Sequence, residues 1–239
     1  MAETVLVTAA SRGIGRGIAT RLTQDGYALV TLDRDPPAAL LPRETFIRVD
    51  LADAAATAHA LAEAVARHAP TRLINNAGTV RPASLEDTTI EDLEVVVSLN
   101  LRCSIQCAQA LLPAMKAARF GRIVNISSRA ALGKELRTVY AATKAGLHGM
   151  TRTWALELAA HGITVNAVGP GPIGTELFHR VNPADSPKTK AIIDGVPVKR
   201  LGTPKDIAHA AAYFLDARAG FVTGQVLYVC GGMTVGLAG

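Results

Sequence analysis

The chain has 239 residues, 49% of them hydrophobic, and a formal net charge of +5. That composition supplies one sizeable core and excludes a disordered chain, which needs low hydrophobicity and high net charge. Lys and Arg are scattered and aromatics make up only 4%, so neither a concentrated basic face nor the stacking platforms of a nucleic-acid binder are expected.

Met1 leads directly into an apolar segment, with no basic stretch or cleavage site, so no secretory leader is expected. Nor does the sequence show an apolar run near the roughly 20 residues of a membrane span, which makes a soluble, cytoplasmic protein the expectation. Short apolar runs predict strands over 5–8, 28–33, 46–50, 73–75, 123–126, 164–168 and 226–229. Helical patterns alternate with them. They cover 14–25 up to Gly26, the Ala-rich 54–68 before Pro70, 99–118, 138–161 up to Gly162, and 204–217. The last opens with Thr203 as N-cap and Pro204 at the first helical position. Strands apolar on nearly every position are covered on both faces, so the expected fold is α/β: one domain over 1–239 built on a Rossmann-type doubly wound parallel sheet. Ligands then belong at the carboxyl ends of the strands. The polar segment 175–198, punctuated by Pro183, Pro187, Gly195 and Pro197, is read as a substrate lid.

The first strand runs into Thr8-Ala-Ala-Ser-Arg-Gly-Ile-Gly15, a turn that opens the first helix. Small residues allow a pyrophosphate close to the backbone, and helix N-terminal N–H groups face the anion. Ser11, Arg12, Gly13, Ile14 and Gly15 are therefore candidate cofactor residues, although such a turn also occurs for steric reasons alone. Asp33 ends the second strand, where a carboxylate can accept ribose hydroxyls and repels a 2′-phosphate. This favours NAD over NADP, while Arg34 and Arg12 keep NADP as the alternative. Cys103, Cys107 and Cys230 cannot form a disulfide framework and have no Cys or His at ligand spacing, so they are read as buried hydrophobes and no metal is expected.

Read in order, the motifs resemble those of the short-chain dehydrogenase/reductase family along essentially the whole chain. Residues 8–15 resemble its cofactor turn, and Asp50 with Leu51 resembles its adenine contact. Asn75, Asn76, Ala77 and Gly78 match its Asn-Asn-Ala-Gly segment, and Asn100 matches its helix asparagine. Ser128, Tyr140 and Lys144 match its serine and Tyr-x-x-x-Lys pair, and Pro170, Gly171, Ile173 and Thr175 resemble the turn that holds the nicotinamide. Two positions depart from the pattern. Ala9 replaces the first glycine of the turn, which a negative φ there would tolerate, and Cys230 replaces an aspartate near the end of the chain.

The resemblance implies a nicotinamide-dependent oxidoreductase that interconverts a secondary alcohol and a ketone. Tyr140 would act as acid/base, Ser128 would bind the substrate oxygen, Lys144 would bind the nicotinamide ribose, and Asn100 would order a water in a proton relay. Tyr140 and Lys144 are four apart and share a helix face, and an adjacent ammonium is expected to lower the phenol's pKa. The resemblance also implies a homotetramer or homodimer; the sequence itself shows only the stripe Leu147, Met150, Trp154 and Leu158. Arg81, Arg129, Lys134, Arg137, Arg180, Lys188 and Lys190 could mark an anionic small-molecule substrate if they point inward, or solvated rim charges if they do not. Two other functions remain open. One is an NADPH-dependent 3-oxoacyl carrier-protein reductase; the other is a non-catalytic dinucleotide-binding regulator on the same fold.

Overall fold

Apolar runs short enough for strands and covered on both faces form the middle layer, and Val5, Leu6 and Val7 have no exposed surface at all. The computed structural model describes residues 3–236; Met1, Ala2 and 237–239 lie outside it, and with them the ends of the expected 1–239 domain and the start of the segment read as leaderless. The strands are β1 (Thr4–Thr8), β2 (Ala28–Asp33), β3 (Glu44–Arg48), β4 (Arg72–Asn75), β5 (Gly121–Ile126), β6 (Ile163–Pro170) and β7 (Val226–Val229). All pair in parallel, in the order β3-β2-β1-β4-β5-β6-β7. The helices are α1 (Gly13–Gln24), α2 (Ala54–His68), α3 (Ile90–Val97), α4 (Cys103–Ala118), α5 (Thr138–Leu158), α6 (Glu176–Val181), α7 (Pro187–Asp194) and α8 (Pro204–Leu215).

One face of the sheet packs Ile18 and Leu22 of α1 against Ile207 and Ala211 of α8. The other packs Leu61 of α2, Leu111 and Met115 of α4, and Ala155 of α5. Each fully buried Leu or Ile stabilises this arrangement by roughly 1.5–3 kcal/mol of transfer free energy. The direction of winding reverses at β1, where Leu6 lies opposite Val30 on one side and Leu73 on the other. A crevice opens beyond the carboxyl ends of β1 and β4 at such a point, and the glycine turn and Asn75–Gly78 both leave the sheet there.

Three expectations are corrected. The third strand occupies 44–48, not 46–50. Glu44 opens the strand because its carboxylate is buried and accepts from Arg16 Nη1, Thr31 Oγ1 and Leu41 N. The helix expected over 99–118 begins at Ile90. Thr89 and Asp92 form a capping box, and α3 runs through a π-helical turn at Ser98–Arg102 into α4. This 29-residue helix is long and apolar enough to cross a membrane, against the expectation that no such stretch exists. Here Cys103, Cys107, Leu111 and Met115 bury its apolar side against the sheet. The polar segment 175–198 carries α6 and α7, capped by Thr175 and Ser186.

Candidate active site

The glycine turn is built from both sides. The Asp33 carboxylate accepts from Ser11 N at 3.0 Å and from Arg34 N at 2.8 Å, tying the turn to the end of β2. Thr8 Oγ1 accepts from Asn76 N and Ala77 N, both at 2.9 Å, and Asn76 Nδ2 donates to Thr8 O and Ala9 O. Asn76 is thereby committed to the turn itself. Gly15 lies beneath it, where an added Cβ would come within 2.1 Å of Ala9 O, so only glycine fits. Ala9 adopts φ +53°, not the negative φ that would tolerate its methyl, because Asn76 holds its carbonyl and its own N–H donates to Leu32 O at 2.7 Å. The methyl of Ala9 is therefore strained.

Whether this end fits a dinucleotide can be judged from the start of α1. Arg12 occupies the N-cap without any side-chain bond to the helix, while α2, α3, α6, α7 and α8 each carry such a cap. First-turn amides left uncapped at the positive end of a helix suit a diphosphate. The turn after β6 comes up beside them: a Cβ on Gly13 would lie 3.6 Å from Thr175 Cγ2, and Ile173 is buried and bridged to Gly202. Pro170 ends β6, and Gly171 N donates to Val229 O with no room for a Cβ against Cys230. Asp50 stands two residues past β3 and accepts from Ala52 N at 2.9 Å, while Leu51 is buried behind it. Asp50 and Arg34 both border a cleft of about 420 Å³ between β3 and α2.

At the other end, Tyr140 occupies the first turn of α5 and Lys144 the second. Lys144 is buried, with Nζ 5.7 Å from the centre of the Tyr140 ring and donating to Ile126 O at 2.8 Å. A Cβ on Gly78 would lie 3.2 Å from both Lys144 Nζ and Asn100 Oδ1, so glycine is what lets these three approach. The Asn100 amide is held by protein partners on both its oxygen and its nitrogen. Its Oδ1 accepts from Thr79 N at 2.8 Å, and its Nδ2 donates to Thr79 O and Thr143 Oγ1. Ser128, half-buried after β5, accepts from Ala130 N at 3.1 Å and caps a short 3₁₀ turn. The neighbouring Ser127 is buried and spent on Lys144 O and His148.

The charges differ from the expectation in one respect. Burial pushes the Lys144 ammonium down to about 8. Burial also raises the Tyr140 phenol, opposed by the Ser128 hydroxyl and by Arg137. Instead of the expected net lowering, burial leaves the phenol raised, and the Lys144 ammonium is itself desolvated and directed at a backbone carbonyl. At the rim, lost hydration and the neighbouring Arg137, Arg129 and Lys188 hold Lys134 below the usual lysine value.

The structure brings Asn100, Ser128, Tyr140, Lys144 and Gly78 to one end of the crevice and Ser11–Gly15, Asp33 and Thr175 to the other. Thr79, Thr143 and the Ile126 carbonyl were not legible beforehand. Their roles rest on backbone groups and a hydroxyl that carry no sequence pattern. Cys103 and Cys107 are buried with Sγ atoms 4.0 Å apart, as small core residues, and Cys230 Sγ contacts Thr234 Oγ1 at 3.3 Å.

A family model described as enoyl-(acyl carrier protein) reductase matches residues 8–234. The chain is 35% identical over 240 residues to the (2S)-[(R)-hydroxy(phenyl)methyl]succinyl-CoA dehydrogenase subunit BbsD of Thauera aromatica, covering 96% of each chain. It is also 35% identical over 245 residues to the 3-oxoacyl-[acyl-carrier-protein] reductase FabG of Staphylococcus epidermidis, covering 98% of this chain and 99% of that one. Among solved structures, a blue fluorescent protein from a metagenomic library in complex with NADPH superposes with a TM-score of 0.86 at 31% identity, covering 98% of both chains. With an ordered motif set, a doubly wound parallel sheet and matches along the whole chain, this protein belongs to the short-chain dehydrogenase/reductase family and is an oxidoreductase of that family.

Proposed function

We propose that the chain is an NAD-dependent dehydrogenase that interconverts a secondary alcohol and a ketone. The carrying observation is the meeting of Lys144 Nζ, the Tyr140 ring and Asn100 around Gly78 at the carboxyl end of β4, on the same crevice as the uncapped start of α1. Ser11, Arg12, Gly13, Ile14 and Gly15 would hold the pyrophosphate, Asp33 and Arg34 the ribose, and Asp50, Leu51 and Ala77 the adenine surroundings. Pro170, Gly171, Ile173 and Thr175 would hold the nicotinamide, with Lys144 on its ribose. A bound nicotinamide would supply the hydride acceptor or donor.

Ser128 Oγ hydrogen-bonds the substrate oxygen and holds it at Tyr140. Tyr140 Oη takes the proton from the alcohol, or returns it to the nascent alkoxide in the reducing direction. The phenol must ionise in a buried place, so the ammonium of Lys144 favours the phenolate once its own charge is shared with ribose hydroxyls. Asn100 holds Thr79 and Thr143 in place, and the second lone pair of its Oδ1 would accept from a water that leads on from Lys144. Residues 175–198 act as the substrate lid, and the chain works in the cytoplasm as a homotetramer or homodimer.

One observation favours a second reading, an NADPH-dependent 3-oxoacyl carrier-protein reductase. Among the described residues the exposed side chains of Arg12 and Arg34 pair only with Asp35, at 3.4 and 3.9 Å, so either could turn to a 2′-phosphate. The gathering of Arg129, Lys134, Arg137 and Lys188 at the rim suits an anionic thioester carrier. Asp33 opposes this reading. The deciding experiment is a panel of secondary alcohols, ketones and acetoacetyl-CoA with each of NAD(H) and NADP(H), followed by nicotinamide absorbance. Turnover confined to NADPH and acyl thioesters would replace the first reading with the second.

A further inference from the structure

His148 stands on α5 one turn beyond Lys144, is buried, and takes no part in the chemistry above. Its Nε2 lies 2.8 Å from Ser127 Oγ, and Ser127 Oγ donates to Lys144 O at 2.9 Å. A hydroxyl has a single hydrogen. With that hydrogen on the Lys144 carbonyl, the imidazole must carry its proton on Nε2 and donate it to Ser127. The bonds then form a directed chain, from His148 Nε2–H to Ser127 Oγ–H to the Lys144 carbonyl. Ser127 N also donates to Val168 O at 2.7 Å, so Ser127 is held from α5 and from β6 at once. Ser128 is the next residue.

The imidazole is itself backed from the sheet. Tyr228 of β7 meets it edge to face, with ring centroids 6.0 Å apart and planes at 84°. Gly169 of β6 makes the room, since a Cβ there would come within 2.6 Å of Tyr228 Cδ1. The charged or titratable groups that act on His148 are Arg152 and Lys144, both on α5, with the Tyr228 phenol ring against it from β7. Burial and the two cations all hold the ring below the usual histidine value, hence neutral.

We propose that His148 is a positioning residue for this enzyme: through Ser127 it fixes Ser128 against the turn of α5 that carries Lys144, with Tyr228 seated over Gly169 to hold the imidazole. A substrate oxygen must reach Ser128 and Tyr140 together, and a small displacement between those two side chains lowers turnover more than binding. The inference rests on the dehydrogenase reading above.

The test uses the full chain and its His148→Gln, His148→Leu and Ser127→Ala variants, with NADH and NADPH binding read by nicotinamide fluorescence. Turnover is measured on acetoacetyl-CoA or the fastest alcohol of the panel, and the imidazole tautomer by long-range nitrogen–proton NMR. The wild type should show a neutral Nε2–H ring. His148→Leu and Ser127→Ala should each lose on the order of tenfold in kcat, with KM and cofactor affinity within about twofold. Their double variant should be no slower than either single one, and His148→Gln, whose amide donates from a similar place, should recover most of the loss. An Nδ1–H tautomer, an unchanged kcat in His148→Leu, or additive losses in the double variant would each overturn the proposal. Should His148→Leu fail to fold, Ser127→Ala and the tautomer decide it. A wild type inert across the whole panel would instead overturn the dehydrogenase reading, while the tautomer would still decide the hydrogen-bond chain.

Discussion

The Lys144 ammonium lies 5.7 Å from the centre of the Tyr140 ring yet gives its hydrogen bond to the Ile126 carbonyl, 2.8 Å away. Before any ligand binds, the two groups are neighbours that both resist charge, the phenol raised and the ammonium lowered to about 8 by burial. The sequence spacing brought them together, but burial set their protonation.

A pH dependence of stability follows. The folded-state value of Lys144 lies below the ordinary 10.5, so the folded chain gives up this proton earlier than the unfolded chain. The buried charge opposes folding fully below about pH 8, and the penalty fades as pH rises toward about 10.5. Relative to Lys144→Met, the wild type should gain stability across that window. Urea denaturation of both proteins at several pH values checks this, and a pH-independent difference between them would contradict it.

Removing one oxygen tests the acid/base assignment. Tyr140→Phe should lower turnover by about 10²–10⁴-fold while NADH binding, read by fluorescence, stays near wild type. The phenyl ring still fills the space beside Lys144, so a melting temperature close to wild type is expected. Retained turnover would take Tyr140 out of the mechanism.

Ala9 is strained at φ +53°, and glycine adopts that conformation freely. Ala9→Gly should stabilise the chain by about 1 kcal/mol, a rise of roughly 2–4 °C in Tm for a chain of this size. Calorimetry with and without NAD or NADP would show whether the relaxed turn also binds cofactor more tightly.

Asp33 holds the glycine turn through Ser11 N, and under the proposed function its carboxylate would repel a 2′-phosphate. Asp33→Ala should move cofactor preference toward NADP by on the order of tenfold or more, with some loss of stability from the orphaned N–H groups of Ser11, Arg34 and Asp35. The ratio of kcat/KM for the two cofactors measures it. An unchanged ratio would mean that Arg12 and Arg34 set the choice.

Much of this was legible beforehand, because strand burial and helix periodicity are local properties. The parallel sheet, the helix at 54–68, the helix read over 138–161 (α5 and the 3₁₀ turn Ala159–His161 that follows it), the glycine turn and the Tyr140–Lys144 pair could all be read along the chain. Misreadings occurred where a polar residue finds its partner far away. Glu44 at the start of β3 is masked until Arg16, 28 residues earlier, folds onto it. The charges Glu91, Asp92 and Glu94 hid the first turns of the long helix, although they lie at its amino end, where acidic groups are favourable.

The order of apolar runs and small residues determined the fold family, the crevice and the side chains that would do the chemistry, since each depends on neighbours a few positions away. Only the folded chain decided the sign of φ at Ala9, the state of the Lys144 and Tyr140 protons, the commitment of Asn100 and Ser127 to protein partners, and the seat of His148 against Tyr228. These depend on burial and on contacts between residues dozens of positions apart, and no local pattern encodes how much water a group loses.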